Sequence, residues 1–306
     1  MKKLLYVTLL LTLISCSENT EKRSAATGPD QKIREFCSPY QAQVGVAVIG
    51  PDLKDTFLWN GNEHFPMQSV FKFHIVATML HAIDQERFTM DQYVVFKPAD
   101  LLEHTWSPLN EKYNPGDSAT LKEIMEYTVS LSDNNGCDIL LRMLGGTQAV
   151  QAFINSIGIR DFAINTNEEQ MHRDSLAQFT NWTTPLAATR ALIRLYHNDP
   201  SVLDSAGHRF LWDVMFATST GQQRLKGKLP AGTRVAHKTG SSGRNGAGIV
   251  DAANDIGVVI LADGKPVFIS VLVSASRESD STNDHIISGI SEIIWDHYTS
   301  SVSDQE

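Results

Sequence analysis

The sequence predicts an antiparallel β-sheet with flanking helices, built from both ends of the chain and interrupted by a helical block. Apolar, strand-like segments lie near residues 43–60 and 255–276, whereas the middle of the chain, from Ser69 to Thr218, mostly follows the period of helices. A length of 306 residues with 42% hydrophobic content allows a substantial buried core. We therefore expect one large domain or two lobes that share a core.

Turn residues delimit the predicted strands. Residues 43–50 and 55–60 are two strand segments joined by the turn Pro51-Asp52. Near the other end, two strands flank Asp263-Gly264, which is a strong hairpin signal.

Capping residues delimit the predicted helices. Thr120 and Glu123 form a capping-box pattern at the start of one helix, Gly145 and Gly146 stop another, and the pair Thr184-Pro185 starts a third. A helix is also predicted over residues 69–86.

The N-terminus has the pattern of an export signal. Lys2 and Lys3 precede an apolar segment that is too short to span a bilayer. Its end, "LISC", resembles the lipobox of bacterial lipoproteins, in which the cysteine, here Cys16, is acylated; an ordinary signal peptide cleaved nearby is the alternative. We expect a signal peptide over 1–15, a tether over 16–31, and a folded domain over 32–300.

Composition excludes several classes of function. The formal net charge of −9 and the pI near 5.6 argue against a nucleic-acid partner. Scattered histidines, with no CxxC and no HExxH, give little support to a metal site. Cys37 and Cys137 are expected to be buried free thiols, although export would permit a disulfide between them.

A serine and a lysine lie three residues apart in the apolar stretch "MQSVFKFHIV". On a helix, Ser69 and Lys72 share one face, and the surrounding residues leave almost no polar side. A buried ammonium must be paired or neutral, and a neutral lysine can accept a proton from a serine. The alternative is a helix cap with a lysine that reaches water, since SxxK alone should arise about once by chance in such a chain.

Two further motifs favour the catalytic interpretation of Ser69 and Lys72 over the helix-cap alternative. Ser132-Asp133-Asn134 lies between two predicted helices, and the KTG stretch at 238–240 lies in a β-rich segment. Each motif is weak by itself, and a helix cap or an exposed strand lysine would explain it. The ordered set of SxxK, SDN and KTG is what is specific.

These residue types suit acyl transfer. Ser69 would be the nucleophile, Lys72 would act on its proton, and Ser132 could pass that proton to a leaving nitrogen. The backbone N–H groups of Ser69 and Ser241 could form an oxyanion hole.

The remaining motif residues suit substrate binding. Asn134 offers an amide to an acyl side chain. Lys238 and Thr239 present a cation and a hydroxyl to a carboxylate, next to Gly240.

From about residue 32 to 299, the chain resembles the class A serine β-lactamases, whose signature is this motif set. The resemblance implies an α/β sandwich lobe from 32–64 and 219–300, an all-α lobe over 65–218, and a site in the cleft between them. It implies hydrolysis of cephalosporins and penicillins through a serine acyl-enzyme, and hence antibiotic resistance. We expect a monomer without cofactor or metal, exported to the periplasm or cell envelope, that contacts membranes only through Cys16.

The family also needs a carboxylate that activates the deacylating water, usually in an ExxLN loop. The corresponding stretch is "NTNEEQMHRD", where Glu168 matches best and His172 stands in the asparagine position. Glu169 is the competing assignment, and two solvated loop charges are the alternative.

Lesser matches concern the walls of the cleft. Trp106 matches an aromatic residue at the cleft rim, or is simply a packed tryptophan. Arg224 matches an arginine that binds the substrate carboxylate, or is a surface arginine, and Thr220 and Gly221 would line the same wall. The long stretch after KTG, together with His172, resembles the subclass rich in cephalosporinases.

Two alternatives come from other functional classes. A penicillin-binding peptidase shares the three motifs but lacks the deacylating glutamate. A β-lactam-sensing lipoprotein would keep most of the site without turnover.

Overall fold

The computed structural model describes residues 28–198 and 202–303. The predicted signal peptide and most of the predicted tether, including Cys16, lie outside the described residues. The first helix already begins at Pro29, so the end of the stretch expected as tether is helical. The helices are α1 (Pro29–Cys37), α2 (Phe71–Asp84), α3 (Leu109–Lys112), α4 (Leu121–Ser130), α5 (Asn134–Leu144), α6 (Thr147–Ser156), α7 (Glu168–Arg173), α8 (Pro185–Tyr196), α9 (Ser205–Phe216) and α10 (Asp280–Ser303).

Both ends of the chain build the main sheet, as predicted. The strands are β1 (Gln43–Ile49), β2 (Thr56–Trp59), β3 (Phe65–Pro66), β4 (Tyr93–Val95), β5 (Ser118–Thr120), β6 (Phe162–Ala163), β7 (Trp182–Thr183), β8 (Val235–Ser241), β9 (Ala253–Ile260) and β10 (Pro266–Ser274). Within the described residues, a five-stranded antiparallel sheet has the order β2-β1-β10-β9-β8. A small three-stranded sheet, β3-β7-β6, and a two-stranded one, β4-β5, lie within the helical part of the chain.

The sheet separates two apolar cores. On one face, α10 packs over strands β9 and β10 while α1 packs against α10 and β2, around residues such as Val46, Val271 and Ile290. On the other face, α8 and the helical block enclose a larger core that includes Phe73, Leu140 and further buried side chains. Burial of these apolar surfaces is the main stabilising contribution and fixes the helical block against the sheet.

Local signals confirm most of the predicted turns. The Thr120 side chain caps α4, Thr184 caps α8, and Gly145 ends α5 in the left-handed conformation with φ of 96°. The pair Asp263-Gly264 joins β9 to β10.

Helix α2 is the central helix of the helical lobe. The predicted helix over 69–86 is observed as a 3-10 turn, Gln68–Val70, followed by α2 itself. Every side chain from Phe71 to Leu80 is buried, the polar ones included, because apolar residues occupy almost all sides of the helix.

Cys37 and Cys137 are buried free thiols, in agreement with the sequence interpretation. Burial raises the pKa of the Cys37 thiol to about 12. Over residues 28–198 and 202–303, no helix is long and apolar enough to cross a membrane.

Candidate active site

Ser69 and Lys72 are in direct contact at the start of α2. The Lys72 ammonium donates to Ser69 Oγ at 2.9 Å and to the Ser132 carbonyl oxygen at 2.8 Å. It also donates to Asn134 Oδ1 at 2.5 Å and lies 2.8 Å from Glu168 Oε1. These partners compensate the burial of a side chain with 0% exposure. The lysine therefore does not reach water, contrary to the simpler interpretation of the motif.

Strained backbone flanks the reacting groups. Gln68, just before the serine, has φ of 45°, and Ser132 has φ of 61°. Non-glycine residues seldom adopt the left-handed region and do so mostly where the surrounding structure enforces it. The backbone conformation at Gln68 and Ser132 therefore sets the directions in which the side chains of Ser69 and Ser132 point.

Lys238, on strand β8, makes a second lysine–serine contact, in this case with Ser132. Its Nζ donates to Ser132 Oγ at 2.9 Å and to the Thr239 carbonyl oxygen at 2.9 Å. Complete burial, and secondarily the nearby Lys72 cation, hold the pKa of Lys238 well below its usual value. Ser132 thus lies between two lysines and can receive or donate a proton.

The SDN loop is held by its central aspartate. Asp133 caps α5 by accepting from the Gly136 N–H at 2.7 Å, and it also accepts from the Leu109 N–H at 2.7 Å. Asn134 donates to Thr105 Oγ1 at 2.8 Å, while its carbonyl oxygen accepts from Lys72. The Asn134 amide orientation is therefore fixed at the cleft.

The two candidate glutamates have different environments. Glu168 begins α7, and its side chain, 11% exposed, points at Lys72. Glu169 is 28% exposed and forms an ion pair with Arg173, away from the nucleophile. His172 is exposed and lines the cleft. The geometry favours Glu168.

Asp138 positions this glutamate, and the sequence analysis missed it. Its two carboxylate oxygens accept from the backbone N–H groups of Glu168 and Glu169, each at 2.9 Å. Burial raises the pKa of Asp138 to about 6, against the opposing effect of these two hydrogen bonds. A signal did exist, since Asp138 lies four residues after Asn134 and thus on the same face of α5.

Gly240 allows strand β8 to approach the nucleophile. A Cβ at this position would collide with the Met67 carbonyl oxygen, two residues before Ser69. Because glycine has no Cβ, the edge strand passes directly beside the turn and brings Ser241 to the cleft. Thr220 and Thr239 also line the cleft, and their hydroxyl oxygens are 2.6 Å apart.

Arg224 lies behind these strand residues and is not a free surface arginine. Its guanidinium donates to Asp284 at 2.8 Å, to the carbonyl oxygens of Gly240 at 3.1 Å and Asn254 at 2.9 Å, and to Ser241 Oγ at 2.8 Å. It still lines the cleft together with Gly221.

Trp106 lies on the rim of the cleft. Its side chain is 62% exposed, which argues against an ordinary packed tryptophan, and its indole N–H donates to the Leu131 carbonyl oxygen at 2.9 Å.

Two adjoining cavities lie along the cleft. One of about 340 Å³ is lined by Ser69, Ser132 and Trp106, and one of about 490 Å³ continues between α7 and the stretch after β8. A chain of side-chain hydrogen bonds crosses the larger cavity: Gln68 donates to Gln178, which donates to Asp251 at 3.2 Å. Sequence patterns gave no signal for these three residues, which are far apart in the chain.

Among the described residues, no group of three or more His, Cys, Asp or Glu side chains could hold a metal ion.

Comparison with known proteins identifies the family. The model of the β-lactamase enzyme family matches residues 28–298. β-Lactamase VEB-1 of Pseudomonas aeruginosa is 43% identical over 295 residues, covering 96% of each chain, and extended-spectrum β-lactamase PER-1 of the same organism is 40% identical, covering 87% of this chain and 85% of that one. The solved structure of TLA-3 extended-spectrum β-lactamase superposes with a TM-score of 0.86 at 43% identity, covering 88% of this chain and 98% of that one. The chain therefore belongs to the β-lactamase enzyme family, as a class A serine enzyme that hydrolyses β-lactams.

Proposed function

We propose that Ser69 opens the β-lactam ring and becomes acylated. Ser69 Oγ attacks the lactam carbonyl carbon while its proton passes to the Lys72–Glu168 pair, which lies within hydrogen-bonding distance. The backbone N–H groups of Ser69 and Ser241 stabilise the oxyanion. Ser132, whose Oγ accepts a hydrogen bond from Lys238, delivers a proton to the lactam nitrogen as the carbon–nitrogen bond breaks. The proton taken from Ser69 replaces it, so that Glu168 is ionised again before deacylation.

Deacylation is assigned to Glu168. Its carboxylate takes a proton from a water molecule as the water oxygen attacks the ester carbonyl carbon, and this proton passes to Ser69 Oγ as the ester C–O bond breaks. Asp138 holds the backbone of Glu168 in place by accepting from its N–H.

Substrate binding is assigned to the two walls of the cleft. Lys238, Thr239 and Arg224, with Thr220, bind the substrate carboxylate, while Asn134 binds the amide of the acyl side chain and Trp106 closes the rim. The cavity of about 490 Å³, which adjoins the smaller cavity lined by Ser69, supports cephalosporins with bulky acyl groups as substrates. The names of PER-1 and TLA-3, both extended-spectrum enzymes, point the same way.

The observation that carries this proposal is the position of Glu168, 2.8 Å from the lysine that contacts the nucleophile. A penicillin-binding peptidase lacks such a carboxylate, and a sensor has no need of one.

The experiment compares wild-type enzyme with Ser69→Ala in a chromogenic cephalosporin assay with chelator present. Wild type should turn over at full rate, and the variant should lose turnover and show no covalent adduct by intact-protein mass. Turnover near wild type in Ser69→Ala, or its loss in chelator, would remove the serine mechanism.

We further propose that the chain is exported and anchored by a lipid on Cys16, and that it acts as a monomer in the periplasm or cell envelope. The sequence "LISC" after a short apolar segment supports the anchor.

A further inference from the structure

A buried histidine–aspartate pair, His237 and Asp255, lies next to the residues assigned above to binding the substrate carboxylate. His237 Nδ1 lies 3.0 and 2.9 Å from the two carboxylate oxygens of Asp255, and both side chains have 0% exposure. The strand register places Asp255 opposite Thr239 on the neighbouring strand. Burying an imidazole and a carboxylate costs free energy unless they are hydrogen-bonded, and these two side chains bond to each other.

The contact between the two side chains uses one ring nitrogen of His237. Nδ1 faces both carboxylate oxygens of Asp255, whereas Nε2 is buried and has no hydrogen-bond partner among the described residues. A hydrogen on Nδ1 is donated to the carboxylate, so this contact orients the Asp255 side chain.

The Asp255 carboxylate is hydrogen-bonded to the chain segment that carries Thr220 and Arg224. Asp255 accepts from the backbone N–H of Leu225 at 3.2 Å, next to Arg224. At the other end of the same segment, Thr218 Oγ1 donates to the His237 carbonyl oxygen at 2.7 Å. The segment from 218 to 225 is thus bonded at one end to the Asp255 carboxylate and at the other to the His237 backbone, and Thr220 and Arg224 lie between these bonds.

The charge of Asp255 also has cationic neighbours. Burial and, after it, the charge of Lys72 lower the pKa of Lys238, and the carboxylates of Asp255 and Glu168 oppose this shift. Burial also lowers the pKa of Lys226, half-buried just after the 218–225 segment, and Asp255 again opposes the shift. The Asp255 carboxylate thus favours the charged forms of both lysines.

We propose that Asp255, oriented by His237, is a positioning residue that holds the substrate-carboxylate wall, formed by Thr220, Arg224, Lys238 and Thr239, in its binding geometry. This inference rests on the proposed role of that wall in binding the substrate carboxylate. Neither residue of the pair touches the substrate.

The test compares two substrates: a cephalosporin with its free ring carboxylate and the methyl ester of the same compound. In Asp255→Asn, kcat/KM for the acid should fall about tenfold, mainly through KM, because one charge-assisted interaction behind the wall is lost. The ester should change less than about twofold, since it has no charge for the wall to bind. Asp263→Asn, the same change in the exposed β9–β10 turn, is the control and should match wild type for both substrates.

A second pair of variants keeps the test valid if Asp255→Asn folds poorly. His237→Asn retains a side-chain N–H near the Nδ1 position and should retain acid turnover, whereas His237→Ala should repeat the selective loss. An equal fall for acid and ester, in variants whose thermal unfolding matches wild type, would overturn the positioning role and leave the proposed function intact. Equal wild-type kcat/KM for acid and ester would instead contradict the carboxylate wall itself, and this inference with it.

Discussion

Lys72 Nζ lies 2.8 Å from Glu168 Oε1, while Glu169, its neighbour in sequence, forms an ion pair with Arg173. One of two adjacent carboxylates thus faces the nucleophile and the other faces away. This difference arises because α7 begins at Glu168, where its backbone is held by Asp138. The catalytic assignment depends on that short helix keeping its position.

We expect the release of the acyl group to slow at acid pH because of Asp138. The pKa of Asp138 is raised to about 6, so its carboxyl is ionised above that pH and accepts from two backbone N–H groups. As the pH falls through this value, one oxygen becomes a hydroxyl and one of these hydrogen bonds is lost. Glu168 is then less firmly positioned, and the acyl-enzyme should persist longer at pH 5 than at pH 7.

The measurement is the lifetime of the acyl-enzyme by rapid-quench mass spectrometry across this pH range. Asp138→Asn should deacylate slowly already at pH 7, because its NH₂ group cannot accept from an N–H. Deacylation of this variant at the wild-type rate at pH 7 would show that Asp138 does not position the glutamate.

Gly240→Ala should slow acylation. The added Cβ would collide with the Met67 carbonyl oxygen, so β8 must move away from the nucleophile and displace the Ser241 N–H from the oxyanion. Loss of one oxyanion donor costs about 10²-fold to 10³-fold in rate. Pre-steady-state acylation rates measure the effect, and Gly28→Ala, where a Cβ meets nothing, is the control. Unchanged acylation in Gly240→Ala would refute the close-approach argument.

The lipid anchor is testable through Cys16. If this residue is acylated, wild-type protein should sediment with membranes, and Cys16→Ala should be released or fail to mature. Cell fractionation with immunodetection measures this. Cys37→Ala, which changes a thiol inside the folded domain, is the matched control and should still sediment. Membrane association that persists in Cys16→Ala would contradict the anchor.

The sequence predicted the parts of the fold that depend on local signals. The hairpin at Asp263-Gly264, the cap at Thr120 and the stop at Gly145 are set by neighbouring residues, so their chemistry is readable along the chain. The order of the three motifs was equally readable, and the fold brings Ser69, Lys72 and Ser132 together.

What the sequence did not predict depends on contacts between distant segments. Gln68 meets Gln178, 110 residues later, and Asp138 meets the start of α7, 30 residues later. Such pairings follow from how whole elements pack, and a single polar residue carries no pattern that identifies its partner. The contacts of Arg224 with two strand carbonyls were unreadable for the same reason.

The role of Glu168 in activating the deacylating water is tested most directly by intact-protein mass spectrometry. The mass is followed against time after mixing with a cephalosporin, for wild type, Glu168→Gln and Glu169→Gln. Glutamine keeps the shape but cannot accept a proton from water, and loss of a general base costs about 10²-fold to 10⁴-fold. We expect the Ser69 adduct to accumulate in Glu168→Gln and to clear quickly in wild type and in Glu169→Gln. Rapid clearance in Glu168→Gln, with or without trapping in Glu169→Gln, would show that Glu168 is not the deacylating base.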